Sequence, residues 1–121
     1  MALTDNEKIP APNPGAQLLK MYNFIGLAMK AGKLAVGENK SEDSLRSGKA
    51  VLLLLSNDAS ENSIRKFTNI CAAKNVPILT LSRGRDELGR VLGRREAAAA
   101  AVLDTGFAER ILKFDRDING G

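Results

Sequence analysis

Lys49-Ala50-Val51-Leu52-Leu53-Leu54-Leu55 runs straight into Ser56-Asn57-Asp58-Ala59-Ser60, and the reading of this stretch decides the fold. A short, unbroken apolar run closed by a cluster of turn residues predicts a strand over 49–56. Ser60 then stands where its hydroxyl can cap a third helix. Just upstream, Gly37-Glu38-Asn39-Lys40-Ser41-Glu42-Asp43-Ser44-Leu45-Arg46-Ser47-Gly48 follows the short apolar segment Leu34-Ala35-Val36. A glycine-led turn into one short polar helix aims free backbone N–H groups beyond the end of the sheet, which suits phosphate or base-edge recognition. Read as an ordinary connecting helix, the same residues need no ligand.

Farther out, helix and strand signals alternate. Leu18, Tyr22, Ile25 and Met29 repeat at four, three and four, predicting an amphipathic helix over 15–31 that Gly32 ends. Residues 1–13, with Pro10, Pro12 and Asn13-Pro14, read as a flexible tail in which Asn13 caps that helix and Pro14 takes its first position. Beyond Ser60, the residues Ile64, Phe67 and Cys71 mark a buried stripe, and Asn75 closes their helix. Val76 to Leu81 is a further strand with Pro77 at its start. A short fourth helix turns Leu88, Val91 and Leu92 inward, with Arg90 and Arg94 on another face and Gly93 as its stop.

Ala97 to Leu103 favours helix by alanine propensity, yet its rising hydrophobicity and the Asp104-Thr105-Gly106 turn argue for a buried strand. Phe107, Ile111, Phe114 and Ile118 line one side of the last helix, and 119–121 form a flexible end. This order predicts an α/β protein, one domain over 14–118, with helices on both faces of a mixed sheet.

Composition narrows the function. The longest apolar runs, Ala50 to Leu55 and Ala97 to Leu103, are too short for a bilayer, and no signal-peptide pattern opens the chain, so a cytoplasmic protein is expected. Histidine is absent, which removes the usual general base, the usual metal ligand and the usual activator of a nucleophile. Gly84, Gly89 and Gly93 lack phosphate-loop spacing. The expectation is a protein without enzymatic activity, metal or cofactor. Cys71 is the one cysteine, too few for an intrachain disulfide, and its thiol is expected in a core. Glu38 and Glu42, four apart, either share a cation or form a solvated helix face.

The net charge of +4, from 18 basic against 14 acidic residues, is small, so its distribution carries more information. Arg83, Arg85, Arg90, Arg94 and Arg95 crowd together with only Asp86 and Glu87 to oppose them up to Arg95. They form either a solvated run or an edge that faces phosphate. One tyrosine, four phenylalanines and no tryptophan leave little for single-strand binding by stacking.

Several blocks together resemble a known family: the Gly37 helix, Leu52-Leu53-Leu54-Leu55-Ser56-Asn57-Asp58-Ala59-Ser60, Cys71, Asn75-Val76-Pro77, Glu87-Leu88-Gly89 and Ala101-Val102-Leu103-Asp104-Thr105-Gly106-Phe107-Ala108. In this order, over about 17–114, they resemble the ribosomal protein L7Ae/L30e superfamily and, within it, the bacterial YlxQ-type proteins. The resemblance implies a three-layer α/β/α sandwich and a recognition edge built from the Gly37 helix and the loop before the last strand, about Gly93 to Ala97. In RNA-binding members the helix reads Gly, any residue, Asn, Glu, two more residues, then Lys, with Asn, Glu and Lys reading sheared G·A pairs and nearby phosphate of a kink-turn. Gly37 and Asn39 match that pattern, whereas Lys40 stands in place of the Glu and Asp43 in place of the Lys. An ionised Asp43 donates no hydrogen bond and repels phosphate.

The residues so implied for RNA binding are Gly37, Glu38, Asn39, Lys40 and Asp43 on the helix, and Arg94, Arg95, Glu96 and Ala97 in the loop. The expected function is non-enzymatic binding, as a monomer, to a structured, kink-turn-like RNA, ribosomal or other non-coding, with ribosome or RNA-processing proteins as further partners. The alternative is a protein-interaction module that keeps the fold and has lost kink-turn recognition.

Overall fold

The structure, a computed structural model, describes residues 14–119. The expected N-terminal tail, with the Asn13 cap, and residues 120–121 lie outside the described residues. In chain order the elements are α1 (Pro14–Lys30), β1 (Leu34–Val36), α2 (Glu38–Arg46), β2 (Leu52–Leu55), α3 (Glu61–Lys74), β3 (Ile78–Thr80), α4 (Arg85–Val91), β4 (Ala99–Val102) and α5 (Thr105–Asn119). The sheet order is β1-β4-β2-β3. β2 pairs parallel with β3, and β4 runs antiparallel to both β1 and β2.

Strand periodicity divides the core into two halves. Leu52 and Leu54 of β2 with Ala100 and Val102 of β4 face α1, α4 and α5, packing on Met21, Ile25, Leu88 and Ile111. Leu53 and Leu55 with Ala99 and Ala101 face the opposite way, onto Leu45 of α2 and Phe67, Ile70 and Cys71 of α3. The result is the expected α/β/α sandwich on a mixed sheet. The alanine run is a strand despite its helix propensity, because it lies between β1 and β2 with hydrogen-bonded neighbours on both sides. Its small side chains leave room for helices on both faces.

Local signals hold where they rest on backbone chemistry. The Ser60 hydroxyl accepts from the Ser63 N–H at 3.1 Å, and Asn75 closes α3 in the left-handed region at φ 58°. The strands are shorter than the runs that announce them. Lys49 and Ala50 give their N–H groups to the Ser44 carbonyl, closing α2, so β2 starts at Leu52. Cys71 is buried, which pushes its thiol up and keeps it protonated. Ile64, expected in the buried stripe, is instead 44% exposed. The inward place belongs to Ser63, whose hydroxyl is satisfied by donating to Glu38 Oε1 at 2.8 Å. α4 ends at Val91, so Arg94 lies in the following loop and not on a helix face with Arg90.

Candidate functional site

Strand direction gathers the loops at one end of the sheet. β1, β2 and β3 run the same way and β4 runs against them, so the ends of the first three strands and the start of β4 coincide. The Gly37 N–H donates to the Ala99 carbonyl at 2.9 Å, and the Ser56 N–H to the Ala98 carbonyl at 2.8 Å. These two bonds place the start of α2, the β2–α3 turn and the end of the 93–98 segment side by side. The predicted helix residues and the predicted loop residues therefore share one edge.

On the α2 side, Gly37 enters the helix at φ 98°, a conformation that favours glycine, and no side chain caps the helix. The first-turn N–H groups at Glu38, Asn39 and Lys40 thus face outward with the positive end of the helix dipole. Ser41 and Leu45 turn inward, the Ser41 hydroxyl donating to the Ala35 carbonyl at 3.2 Å, and this fixes which face is free. Asn39, Lys40 and Asp43 are all exposed. Lys40 makes no ion pair among the described residues, and Asp43, three residues on, neighbours it on the helix surface.

Glu38 points elsewhere. Its carboxylate accepts from Ser63 and lies 3.5 Å from Lys66 Nζ, which is also 3.3 Å from Glu42. Arg46 Nε donates to the other Glu42 oxygen at 2.9 Å. The hydrogen bonds from Arg46 and then Lys66 hold the Glu42 carboxyl below its usual range. The cations beside this acidic pair are side chains, and the pair braces α2 against α3. Among the described residues no group of three acidic or sulfur ligands gathers for a metal ion.

On the loop side, the 93–97 segment is seated on α4. The Arg94 N–H donates to the Gly89 carbonyl at 2.8 Å and the Ala97 N–H to the Arg85 carbonyl at 3.0 Å, which buries Ala97 and leaves Arg94, Arg95 and Glu96 exposed. The arginine window splits into two groups. Arg85 lies between Asp58 (3.8 Å) and Glu96 (3.5 Å), and Arg90 pairs with Glu87. Arg83, Arg94 and Arg95 make no ion pair among the described residues, so only they offer full charge outward. Desolvation raises the Asp58 carboxyl, but the nearby Ser56 hydroxyl, the Arg85 N–H at 2.9 Å and the Arg85 charge outweigh it. Asp58 therefore ionises below the ordinary carboxylate range.

Of the Asp58–Arg85–Glu96 group, Arg85 and Glu96 were read as parts of the edge, but their pairing and the place of Asp58 were not legible in the sequence. The signal at Asp58 was the turn cluster after β2, which announced a loop and not a partner.

Comparison with known proteins gives a consistent pattern. The sequence pattern of the ribosomal protein L7Ae/L30e/S12e/Gadd45 family matches residues 19–112. The chain is 34% identical over 96 residues to the RNA-binding protein YlxQ of Bacillus subtilis (strain 168), covering 79% of this chain and 95% of that protein. It is 32% identical over 80 residues to the large ribosomal subunit protein eL30 of Methanosarcina mazei, covering 65% and 74%. Among solved structures, a protein of unknown function from Bacillus halodurans superposes with a TM-score of 0.74 at 28% identity, covering 78% of this chain and 95% of that one. The Giardia lamblia 15.5kD RNA binding protein shares the fold, with a TM-score of 0.70 at 18% identity over 93% and 94% of the two chains. No helix among the described residues is long and apolar enough to cross a membrane. With the matched region running from α1 into α5 and carrying both halves of the edge, the chain belongs to the ribosomal protein L7Ae/L30e/S12e/Gadd45 family.

Proposed function

We propose that this chain is a non-enzymatic, cytoplasmic RNA-binding protein that takes a structured, kink-turn-like RNA at the edge where α2 meets the 93–97 loop. The observation that carries the reading is the Gly37 to Ala99 hydrogen bond, which joins the uncapped start of α2 to the end of the loop that carries the unpaired Arg94 and Arg95. Lys40 adds a third unpaired cation, and Asn39 supplies the paired donor and acceptor that a base edge needs. The names of the relatives, an RNA-binding protein and a ribosomal protein, support the same assignment. Ala97 and Gly37 act through backbone and shape. Glu38, held by Ser63 and Lys66, contributes its N–H and the bracing of α2, and Glu96 holds Arg85. The RNA is ribosomal or another non-coding RNA, bound by a monomer alongside ribosome or RNA-processing proteins.

Replacing Arg94 and Arg95 together by Ala weakens binding to a kink-turn hairpin and lowers the salt slope by about one for each phosphate no longer neutralised. Stability hardly moves, since both side chains are exposed and unpaired. Titrations at several salt concentrations provide the check, and an unchanged slope removes the loop from the site.

Asp43 tests the altered helix motif. Asp43→Lys strengthens binding to kinked and plain duplex RNA, most at low salt. Asn39→Ala weakens the kink-turn alone, by about 1–3 kcal/mol. If Asn39→Ala has no effect while Asp43→Lys improves both RNAs equally, the edge is only an electrostatic surface. The exposed Asp43 carboxylate then favours the protein-interaction module.

A further inference from the structure

The Ser56–Ser60 turn stands out in the sequence, and RNA contact does not by itself account for it. Each polar residue of this turn holds a different part of the edge. The Ser56 N–H donates to Ala98, just after the loop. Asn57 clasps the β3–α4 connection twice, its N–H donating to the Arg83 carbonyl at 3.0 Å and its Nδ2 to the Ser82 carbonyl at 2.7 Å. Ser60 caps α3, the helix whose Ser63 and Lys66 hold Glu38 on α2. The remaining residue is Asp58.

Asp58 Oδ1 accepts from the Arg85 N–H at 2.9 Å, giving α4 the cap that Gly84 cannot supply. The fit is close, since a Cβ on Gly84 would lie 2.8 Å from Asp58 Oδ2. The other carboxylate oxygen faces the Arg85 guanidinium, which reaches on to Glu96, and the Arg85 carbonyl accepts from Ala97. One residue of the β2–α3 turn thus sets the start of α4 and, through Arg85, the C-terminal flank of the segment that presents Arg94 and Arg95.

We infer that Asp58 is a positioning residue for RNA recognition, holding the Arg94–Arg95 loop in its binding geometry through Arg85 without touching RNA. This rests on the RNA-binding reading above and adds a residue to it. A site held in place by a neighbouring shell of hydrogen bonds loses affinity when that shell is removed, even though the contacting side chains remain.

The test turns on a difference of sign. Asp58→Ala removes a negative charge from an edge that binds a polyanion, so simple electrostatics strengthens binding. Positioning gives the opposite result. Affinity for a kink-turn hairpin falls by about fivefold to tenfold, the binding equivalent of one lost helix-cap hydrogen bond. The measurement is made well below the melting temperature, so that unfolded protein does not contribute. Asp58→Asn, whose Oδ1 still accepts from the Arg85 N–H, restores most of that loss. Equal or tighter binding by a folded Asp58→Ala protein overturns the inference, as does an Asn variant no better than Ala.

Amide hydrogen exchange gives a second readout that needs no RNA. In the Asp58→Ala protein, or in Gly84→Ala, whose added Cβ would lie 2.8 Å from Asp58 Oδ2 and displace that carboxylate, should Asp58→Ala fail to fold, exchange at Arg85 and Ala97 accelerates relative to the amides of β2 and β4. Unchanged relative protection there overturns the positioning role even if RNA binds. Faster exchange in a protein that binds no RNA leaves the clasp in place and removes the RNA-binding reading instead.

Discussion

Phe67→Ala lowers the unfolding free energy by about 3–5 kcal/mol, the cost of a large cavity in a core that cannot collapse to fill it. Phe67 is fully buried between α3 and the sheet, against Leu45, Leu53, Leu55, Ala99 and Ala101. The alanines below it have no longer rotamer to offer, and the leucines are already fixed by their own strands. The loss reaches the edge as well. Lys66 Nζ sits 4.9 Å from the centre of the Phe67 ring while bridging Glu38 and Glu42, so removing the ring loosens the contact between α3 and α2. Against a typical domain stability of about 5–15 kcal/mol, a fall of this size moves the melting temperature by about 10 °C or more. Urea unfolding checks it, with Ile64→Ala as the control. Ile64 is 44% exposed and its truncation barely registers. Equal losses at 64 and 67 would mean that α3 is rotated from the orientation described.

That pair of residues also marks the limit of what the sequence told. Elements set by local chemistry were legible, including a strand within 49–56, the Ser60 cap and the close of α3 at Asn75. So was the alanine strand, where a turn signal and rising hydrophobicity outweighed propensity. The register of α3 was misread at Ile64 because apolar periodicity assigns inward places to apolar residues, and Ser63 holds one through a carboxylate 25 positions away. The charges of the candidate site show the same limit. The glycine-led helix and the loop before β4 were legible and meet at one edge, but which charges there are free was not. Arg85 and Arg90 look like Arg94 and Arg95 in the chain. They differ because Asp58 and Glu96 close on the first and Glu87 on the second, and of these only the i, i+3 pair of Glu87 and Arg90 can be read from helical spacing.

Gly89→Ala destabilises the protein by about 3 kcal/mol, at the upper end of overpacking costs. The direction is the informative part, because glycine to alanine inside a helix ordinarily stabilises by about 1 kcal/mol. Gly89 lies inside α4 and is buried, so by propensity alone it is a place to gain. Contact reverses the sign. A Cβ at 89 would lie 2.7 Å from the Glu96 nitrogen and 2.8 Å from its carbonyl carbon, and nearer still to its Cα. Those atoms are backbone and cannot rotate away as a side chain would. Either α4 or the 93–97 segment must move, and the segment is tied to α4 by the Arg94 to Gly89 and Ala97 to Arg85 hydrogen bonds, which then lengthen. Arg94 and Arg95 remain in the protein but leave the positions that their seat on α4 gives them. On the proposed RNA-binding reading, affinity for kinked RNA therefore falls together with stability, although no charge has changed. Thermal unfolding and RNA titration of the folded variant measure the two effects separately. A Gly89→Ala protein as stable as wild type would show that the loop is not seated on α4. Reduced stability with intact RNA affinity would keep the seat and place the RNA contacts elsewhere on the edge.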